Sequence, residues 1–251
     1  MDAPLVAFGR LPVMRAVRVA YDDLARVLMT MPTLVVIALA IDLAADLVGL
    51  FGPRHGMPML AYSAVIGLGK NWFLTPFFIA VHRLILVDEV ADRYRLDPQD
   101  HRFARFFTWS LVLWVMLALP AVVTRVLTLT MSVISPTTAL SALAVLAIVV
   151  AIISVRLMVL FPAIAVDAPG ATPANAVADM HGFVLDVFLI CSLAVLPVVA
   201  LEWLLVGGRG QSLKALIVES LANLLVRVLL IVIASRAFQA LGDRVLRPAV
   251  A

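Results

Sequence analysis

The sequence predicts an all-α fold, a polytopic membrane helix bundle with six transmembrane helices. Apolar residues make up 64% of the 251-residue chain and charged residues only 14%, whereas soluble domains are about half apolar and about a quarter charged. Six apolar runs are long enough to cross a bilayer as helices. The charged segment 82–105 interrupts these runs, so it must lie in water between two membrane crossings.

The chain divides into three predicted parts. Residues 1–30 form a cytoplasmic N-terminus with an interfacial amphipathic helix, residues 31–235 form the transmembrane bundle, and residues 236–251 form a cytoplasmic tail. The first long apolar run follows a stretch of mixed charge and precedes no small-residue cleavage pattern. We therefore expect the first membrane segment to be retained.

Residues 13–29 have the spacing of an amphipathic helix. Apolar side chains recur on one helical face and charged side chains on the other. Two arrangements fit this pattern: a helix lying on the inner leaflet, or an extension of the first spanning helix with a bend at Pro32. The apolar face comprises Met14, Val17, Tyr21, Leu24 and Leu28, and the charged face comprises Arg15, Arg18, Asp22 and Arg26, with Arg18–Asp22 and Asp22–Arg26 as i,i+4 pairs.

The six predicted spanning helices are joined by links of two kinds. The segments 51–58, 132–136 and 207–212 are short and rich in Gly, Pro or Ser, whereas 88–105 and 162–182 are longer and polar. Short turns favour antiparallel packing of the helices that they join, so we expect three hairpins. The helices are predicted at about 31–51, 59–87, 106–130, 138–161, 183–206 and 213–235.

The distribution of arginine and lysine predicts the orientation in the membrane. With both termini inside, thirteen of these residues fall on the cytoplasmic side, and two, Lys70 and Arg227, fall within the bilayer. Cytoplasmic loops carry an excess of arginine and lysine, so both termini are predicted to be cytoplasmic. The four on the outer side are Arg54, Arg125, Arg209 and Lys214.

The second polar link is predicted to contain a short helix. Thr172 is a suitable N-cap, Pro173 fits the first helical position, and Gly182 can end the turn that follows. Residues 76–82 and 161–167 also have similar sequences. That similarity would be explained by repeated hairpins, or by chance matching of a few apolar residues and a proline.

Charged side chains inside the predicted bundle are the main candidates for function, because they are costly in a bilayer. Asp42 and Lys70 each lie about 16 Å along their helices at a rise of about 1.5 Å per residue, near the midplane of a core about 30 Å thick. A short turn makes their helices neighbours, so they are predicted to form a buried ion pair. Asp46 lies one turn from Asp42 on the same face, and Asn71 adjoins Lys70.

A second polar stripe consists of Glu219, Asn223 and Arg227 at i, i+4 and i+8 on the last helix, and it is predicted to face the bundle interior. Three further ion pairs are also conceivable. They are Arg156 with Asp186 near the inner end, and Arg125 with Glu202 or Glu219 near the outer end.

Two interpretations of these charges remain open. The five acids and four bases nearly balance, which favours pairing that specifies helix register. Alternatively, the surplus carboxylate, Asp42 or Asp46, is kept protonated by burial and exchanges a proton during transport.

No enzyme signature accompanies these charges, so we predict a protein without catalytic residues, metal or cofactor. His82, His101 and His181 lie near the inner surface and could meet at a metal with Asp88 or Glu89, but no ligand spacing supports such a site. The net charge of the chain is only +3, and its arginines lie mainly in the links and at the ends of the predicted spanning helices. This distribution is typical of orientation in a membrane and argues against nucleic-acid binding. The single cysteine, Cys191, excludes an internal disulfide.

Residues 76–89 (PFFIAVHRLILVDE) and 156–167 (RLMVLFPAIAVD), followed by a short helix ending at His181-Gly182, resemble uncharacterised bacterial six-helix inner-membrane proteins. They are also loosely similar to the membrane domain attached to some glycerophosphodiester phosphodiesterases. The resemblance implies a polytopic bundle in a bacterial inner membrane. The chain has no soluble phosphodiesterase domain, so the resemblance implies no catalysis and transfers no functional residues.

Two functions of different classes are compatible with the sequence. The first is a non-enzymatic module that sits in the lipid bilayer and binds a partner protein or lipid through its cytoplasmic face. The second is a small proton- or ion-coupled transporter that uses mid-membrane Asp42 and Lys70. A polar cavity reaching these two residues would favour the transporter. The candidate arginines of the cytoplasmic face are Arg83, Arg93, Arg95, Arg102 and Arg105.

Overall fold

The protein folds into a bundle of α-helices. The computed structural model describes residues 13–53, 56–130, 136–207 and 212–246, and these ranges contain no β-strand. The helices are α1 (Val13–Thr30), α2 (Pro32–Gly49), α3 (Gly56–Val87), α4 (His101–Thr130), α5 (Pro136–Leu157), α6 (Leu160–Ala165), α7 (Pro173–Asp179), α8 (Val184–Val206) and α9 (Leu213–Leu241).

Six segments of the described chain are long and apolar enough to cross a membrane, which confirms the predicted fold class. They are α2, α8, α9, the greater parts of α3 and α4, and the run from α5 through α6. A polar backbone cannot be solvated in lipid, so each segment satisfies its own amide groups by coiling into a helix. The chain is therefore a multi-pass membrane protein.

The spanning helices form three antiparallel hairpins, α2–α3, α4–α5 and α8–α9, and the members of each pair are in contact. All three hairpins turn at the same end of the bundle, and we call it the hairpin end. The opposite end carries the long links 88–100 and 166–183, and we call it the loop end. The whole α4–α5 turn (131–135), parts of the other two turns (54–55 and 208–211), residues 1–12 and residues 247–251 lie outside the described residues.

Several helix boundaries differ from the predicted ones. α4 begins at His101 because the Asp100 side chain accepts a hydrogen bond from the Arg102 amide (2.9 Å), an N-terminal cap inside the charged link. α5 ends at Leu157, and a turn separates it from α6. α9 continues to Leu241, so the first residues of the predicted tail are helical and packed.

The short helix predicted within the second polar link is confirmed as α7. The Thr172 side chain accepts a hydrogen bond from the Asn175 amide at 3.3 Å, and Pro173 occupies the first turn. Gly182 lies in the turn that follows, with φ of +90°. Residues other than glycine rarely adopt this backbone conformation.

α1 packs against the bundle along α8 and α9. Its buried face includes Val17 and Leu24 as predicted, but Met14 is exposed. The helix is interrupted at Met31, whose φ of −125° and ψ of 50° are not helical, and α2 begins at Pro32. α1 is therefore separated from α2 at the predicted bend, and one of its faces packs against α8 and α9.

α9 lies at the centre of the bundle. Its buried residues run from Ser220 to Phe238, and it contacts α1, α2, α3, α6 and α8. Burial is greatest toward the loop end, where side chains such as Leu84, Ile164 and Ile233 are completely enclosed.

The two segments with similar sequences adopt different structures. Residues 76–82 lie inside α3, whereas residues 161–167 form most of α6 and the turn after it. Their similarity therefore does not extend to a repeated local structure.

Candidate functional site

The mid-membrane charges meet where α2, α3 and α9 contact one another. Asp42 and Asp46 are four residues apart and share one face of α2, and Ser220 and Arg227 are seven apart on one face of α9. Lys70 projects from α3 toward both carboxylates. We call these five residues the mid-membrane network.

Four contacts connect the mid-membrane network. Lys70 Nζ lies 2.9 Å from Asp42 Oδ1 and 3.0 Å from Asp46 Oδ1. Arg227 Nη1 donates to the same Asp42 oxygen at 3.1 Å, and Ser220 Oγ donates to Asp46 Oδ2 at 2.7 Å. The predicted Asp42–Lys70 pair is therefore present, within a larger network that includes Arg227.

Asp42 is the most enclosed member of the network. Its side chain has no solvent-exposed surface. Its Oδ1 atom accepts a hydrogen bond from Arg227 and forms an ion pair with Lys70, whereas Oδ2 has no hydrogen-bond partner among the described residues. A buried carboxylate oxygen without a donor is unfavourable, so Asp42 depends on the two charge contacts of its other oxygen.

A cavity of about 550 Å³ opens beside this network between α2, α3 and α9 toward the hairpin end. Its volume falls in the range of about 300–1,000 Å³ that is typical of small-molecule sites. Apolar side chains and Gly67 form part of the wall. The polar side chains in the wall are those of Asp46, Tyr62, Ser63, Lys70, Ser212, Glu219 and Arg227.

The α2–α3 turn shapes the mouth of the cavity. The Tyr62 hydroxyl donates to the Val48 carbonyl at 2.8 Å, which ties the start of α3 to the end of α2. Gly52 lies so close to the Tyr62 ring that a Cβ atom at this position would come within 2.3 Å of it. Glycine at position 52 therefore permits the tyrosine to lie across the turn.

The polar stripe on α9 is only partly internal. Arg227 faces the network as predicted, and Asn223 is half-buried. Glu219 is exposed and lines the cavity, and no described residue forms an ion pair with it. Asn71 is outside the network, because its amide donates to Ser110 Oγ on α4 at 2.8 Å.

The other sequence-predicted pairs do not form among the described residues. Asp186 is exposed and has no ion pair with Arg156, whose buried Nε atom lacks a hydrogen-bond partner. Glu202 is half-buried on α8 and also has no described ion pair. The side chain of Arg125 lies outside the described residues. The sequence predicts how deep each of these residues lies in the membrane, but not which face of its helix meets a neighbouring helix.

Most arginines of the loop end are engaged within the chain. Arg83 donates to the Ala165 carbonyl at 3.0 Å and pairs with Glu89. The hydrogen bond from Arg83 holds the pKa of the Glu89 carboxyl below its usual value. The remaining contacts are Arg95 with Asp97 at 3.2 Å, Arg102 with Asp167, and Arg105 with the Ala171 carbonyl at 2.7 Å, while Arg93 is exposed without a described partner.

These contacts attach the second long link to α4 and the start of the first long link to α3. Asp88 and Asp167 both adopt positive φ angles, of 57° and 53°, directly after or near the end of a helix. Aspartate tolerates this left-handed conformation better than most residues. Each carboxylate accepts a hydrogen bond from an arginine of another element: Asp88 from Arg26 and Asp167 from Arg102.

A buried ion pair at the loop end was missed by the sequence analysis. Asp23 of α1 accepts two hydrogen bonds from Arg236 of α9, at 2.7 and 2.8 Å, and Asp23 is almost fully buried. Arg26, assigned from sequence to Asp22, instead pairs with Asp88. The helical period places Asp23 beside the apolar residues of α1, which is the signal that could have identified it.

The histidines have separate partners. His82 is buried, with Nδ1 2.7 Å from Ser235 Oγ, and His101 Nε2 lies 2.7 Å from Asp167. His181 is exposed. Within the described ranges, no group of three His, Cys, Asp or Glu side chains is arranged to hold a metal ion.

The mid-membrane network and its cavity thus form the candidate functional site of the described part of the bundle. Comparison of the chain with protein-family models, with curated proteins and with solved structures found no match.

Proposed function

We propose that this chain is a small, non-enzymatic membrane transporter that takes up a polar solute through the cavity between α2, α3 and α9. The observation that carries the proposal is the cavity itself, which reaches Lys70 and Arg227 from the hairpin end. A helix bundle whose charges served only for register would exclude water from them. A polar path to mid-membrane charges is typical of transport proteins.

Asp42 is the candidate coupling residue. It contacts a cation on each of two neighbouring helices through one oxygen. Any change in its charge would weaken both contacts together, which would loosen α3 and α9 from α2. This arrangement supports proton or ion coupling of the solute's movement.

We also propose a bacterial inner-membrane location with the loop end in the cytoplasm. The arginine distribution supports that orientation, because loop-end arginines outnumber those assigned to the hairpin end. The cavity would then open away from the cytoplasm.

Cysteine accessibility tests the transporter proposal. In a Cys191→Ala background, we expect Ser63→Cys to react with a membrane-impermeant maleimide, because Ser63 is exposed and lines the cavity. Val65→Cys is the matched control, since Val65 is 67% exposed on the same helix but outside the cavity. We expect it to face lipid and to react slowly.

Transport requires access from both membrane sides. In sealed vesicles of each orientation, Ser63→Cys should label rapidly from the hairpin side and more slowly from the loop side. Labelling from the hairpin side alone would indicate a binding pocket without transport. Equal rates for Ser63→Cys and Val65→Cys would contradict the water-filled cavity.

A second candidate function is the binding of a partner protein or lipid at the loop end. It is favoured by Arg93 and Arg95, of which Arg95 has a side chain that is 80% exposed beside a surface groove. Copurification and mass spectrometry with both arginines changed to glutamine test it. Loss of an associated protein or lipid would support this function, and unchanged association would refute it.

A further inference from the structure

We infer that the solute taken up by the cavity is a small zwitterion, whose anionic group binds Arg227 and whose cationic group binds Glu219. The inference deepens the proposed transport function and rests on it. It follows from which charged groups of the cavity wall still have free hydrogen-bonding capacity.

The two cations of the wall differ in this respect. The Lys70 ammonium contacts two carboxylates, those of Asp42 and Asp46. Arg227 uses Nη1 for its described contact with Asp42, and its side chain is 36% exposed in the cavity wall. A guanidinium has five N–H donors in a planar fork. Arg227 therefore has donors for a second acceptor, with the geometry that suits a carboxylate or phosphate.

Glu219 provides the complementary charge nearer the mouth. It is exposed in the cavity wall and has no described ion-pair partner. Glu219 and Arg227 are eight residues apart on α9, a separation of about 12 Å along the helix axis. Because both side chains line the same cavity, a short solute with charges at its two ends can contact both.

Charge balance distinguishes a zwitterion from simpler ions. The mid-membrane network and the cavity wall together contain three carboxylates (Asp42, Asp46 and Glu219) and two cations (Lys70 and Arg227). A simple anion would increase the negative surplus, and a simple cation would leave the free donors of Arg227 without an acceptor. A solute carrying both charges satisfies both groups without increasing the surplus.

Three probes of matched length test this inference: 4-aminobutanoate, butylamine and butanoate. The readout is protection of Ser63→Cys from the maleimide in the full-length protein in lipid nanodiscs. We expect 4-aminobutanoate to protect at a concentration about tenfold below that of either single ion, because it gains one additional charge-assisted contact. Equal protection by butylamine or by butanoate would overturn the inference in favour of a cation site or an anion site.

Two carboxylate variants test the role of Glu219. Glu219→Gln should abolish the advantage of 4-aminobutanoate over butanoate, whereas Glu202→Gln, which alters a carboxylate on α8 outside the cavity, should preserve it. Retention of the advantage in Glu219→Gln would refute the assigned contact.

The failure of the zwitterion inference is distinct from failure of the transport proposal. If Ser63→Cys labels from both membrane sides but none of the three probes protects it, transport stands and the zwitterion is refuted. If Ser63→Cys does not label from the loop side, the transport proposal itself fails.

Discussion

Asp42 is the residue on which the mid-membrane network depends. One of its oxygens lies within 3.1 Å of both Lys70 Nζ and Arg227 Nη1. The two cations are not equivalent, because Lys70 also contacts Asp46, whereas Arg227 has no second acidic partner among the described residues. Loss of Asp42 would therefore strand Arg227, while loss of Lys70 would leave each aspartate with another donor.

Substitution of Asp42 and Lys70 should show this asymmetry. We expect Asp42→Asn to destabilise the protein by about 3–5 kcal/mol, the usual cost of breaking a buried pair, and Lys70→Met to cost less. The double variant should be more stable than the sum of the two losses predicts, because contacting residues are coupled. Unfolding in detergent measures each value. Asp186→Asn, at an exposed site, is the control and should change stability by no more than about 0.5 kcal/mol.

The double variant also separates the two interpretations of the network. If the Asp42–Lys70 pair stabilises the transporter without coupling transport, a folded double variant should still label at Ser63→Cys from both membrane sides. If Asp42 couples transport, labelling from the loop side should be lost while the fold is retained. Strictly additive stability losses in the previous experiment would contradict the contact between Asp42 and Lys70.

The Asp42–Lys70 pair could be predicted from the sequence because the rise per residue fixes the depth of a side chain in a straight helix. The contact between Arg227 and Asp42 could not be predicted in this way. That contact depends on how α9 is rotated about its axis and on its position beside α2, which are set by packing across the whole bundle. The exposure of Glu219 went unforeseen for the same reason.

At the scale of elements, α1 is held by directed polar contacts as well as by its apolar face. Asp23 bonds twice to Arg236 of α9, and Arg26 pairs with Asp88 after α3. The Tyr21 hydroxyl donates to the Ala194 carbonyl of α8 at 2.7 Å. An amphipathic helix that merely rested on lipid would need none of these contacts, so α1 is an integral part of the bundle.

Two neighbouring aspartates of α1 provide a matched test. Asp23→Asn should destabilise the docking of α1 by about 3–5 kcal/mol, because it leaves the partly buried Arg236 without its charge partner. Asp22→Asn removes the same charge from an exposed position and should have little effect. Hydrogen exchange of the α1 amides measures the docking. Equal exchange in the two variants would show that the Asp23–Arg236 pair does not hold α1.

The predictability of each helix end depended on whether its signal is local. Thr172 and Pro173 define the start of α7 through contacts with the next few residues, so their pattern was sufficient. The break between α5 and α6 lies in the run from Leu157 to Ile164, which contains no charged or hydrogen-bonding side chain. Composition does not change there, and the turn is stabilised instead by contacts of α6 with α3, α4 and α9.

At the scale of the whole molecule, packing is uneven along the bundle axis. The loop end has an enclosed core that includes Leu84, Leu160 and Met180, whereas α4 and α5 expose many large apolar side chains toward the hairpin end. Such exposure would be unfavourable in water and is favourable in lipid. Composition was sufficient to predict this membrane-spanning architecture, but the cavity depends on the separation of α2, α3 and α9, which composition does not determine.

Topology can be tested across a single crossing. Phe51 is 88% exposed at the end of α2, and the Arg95 side chain is 80% exposed in the long link, with α3 alone connecting the two regions. In a Cys191→Ala background, Phe51→Cys and Arg95→Cys should react with an impermeant reagent from opposite sides of the membrane, because α3 is long and apolar enough to span it. The arginine distribution further predicts that Arg95→Cys reacts from the cytoplasmic side. Reaction of both cysteines from one side would show that α3 does not cross, and it would remove the membrane arrangement on which the mid-membrane position of Lys70 depends.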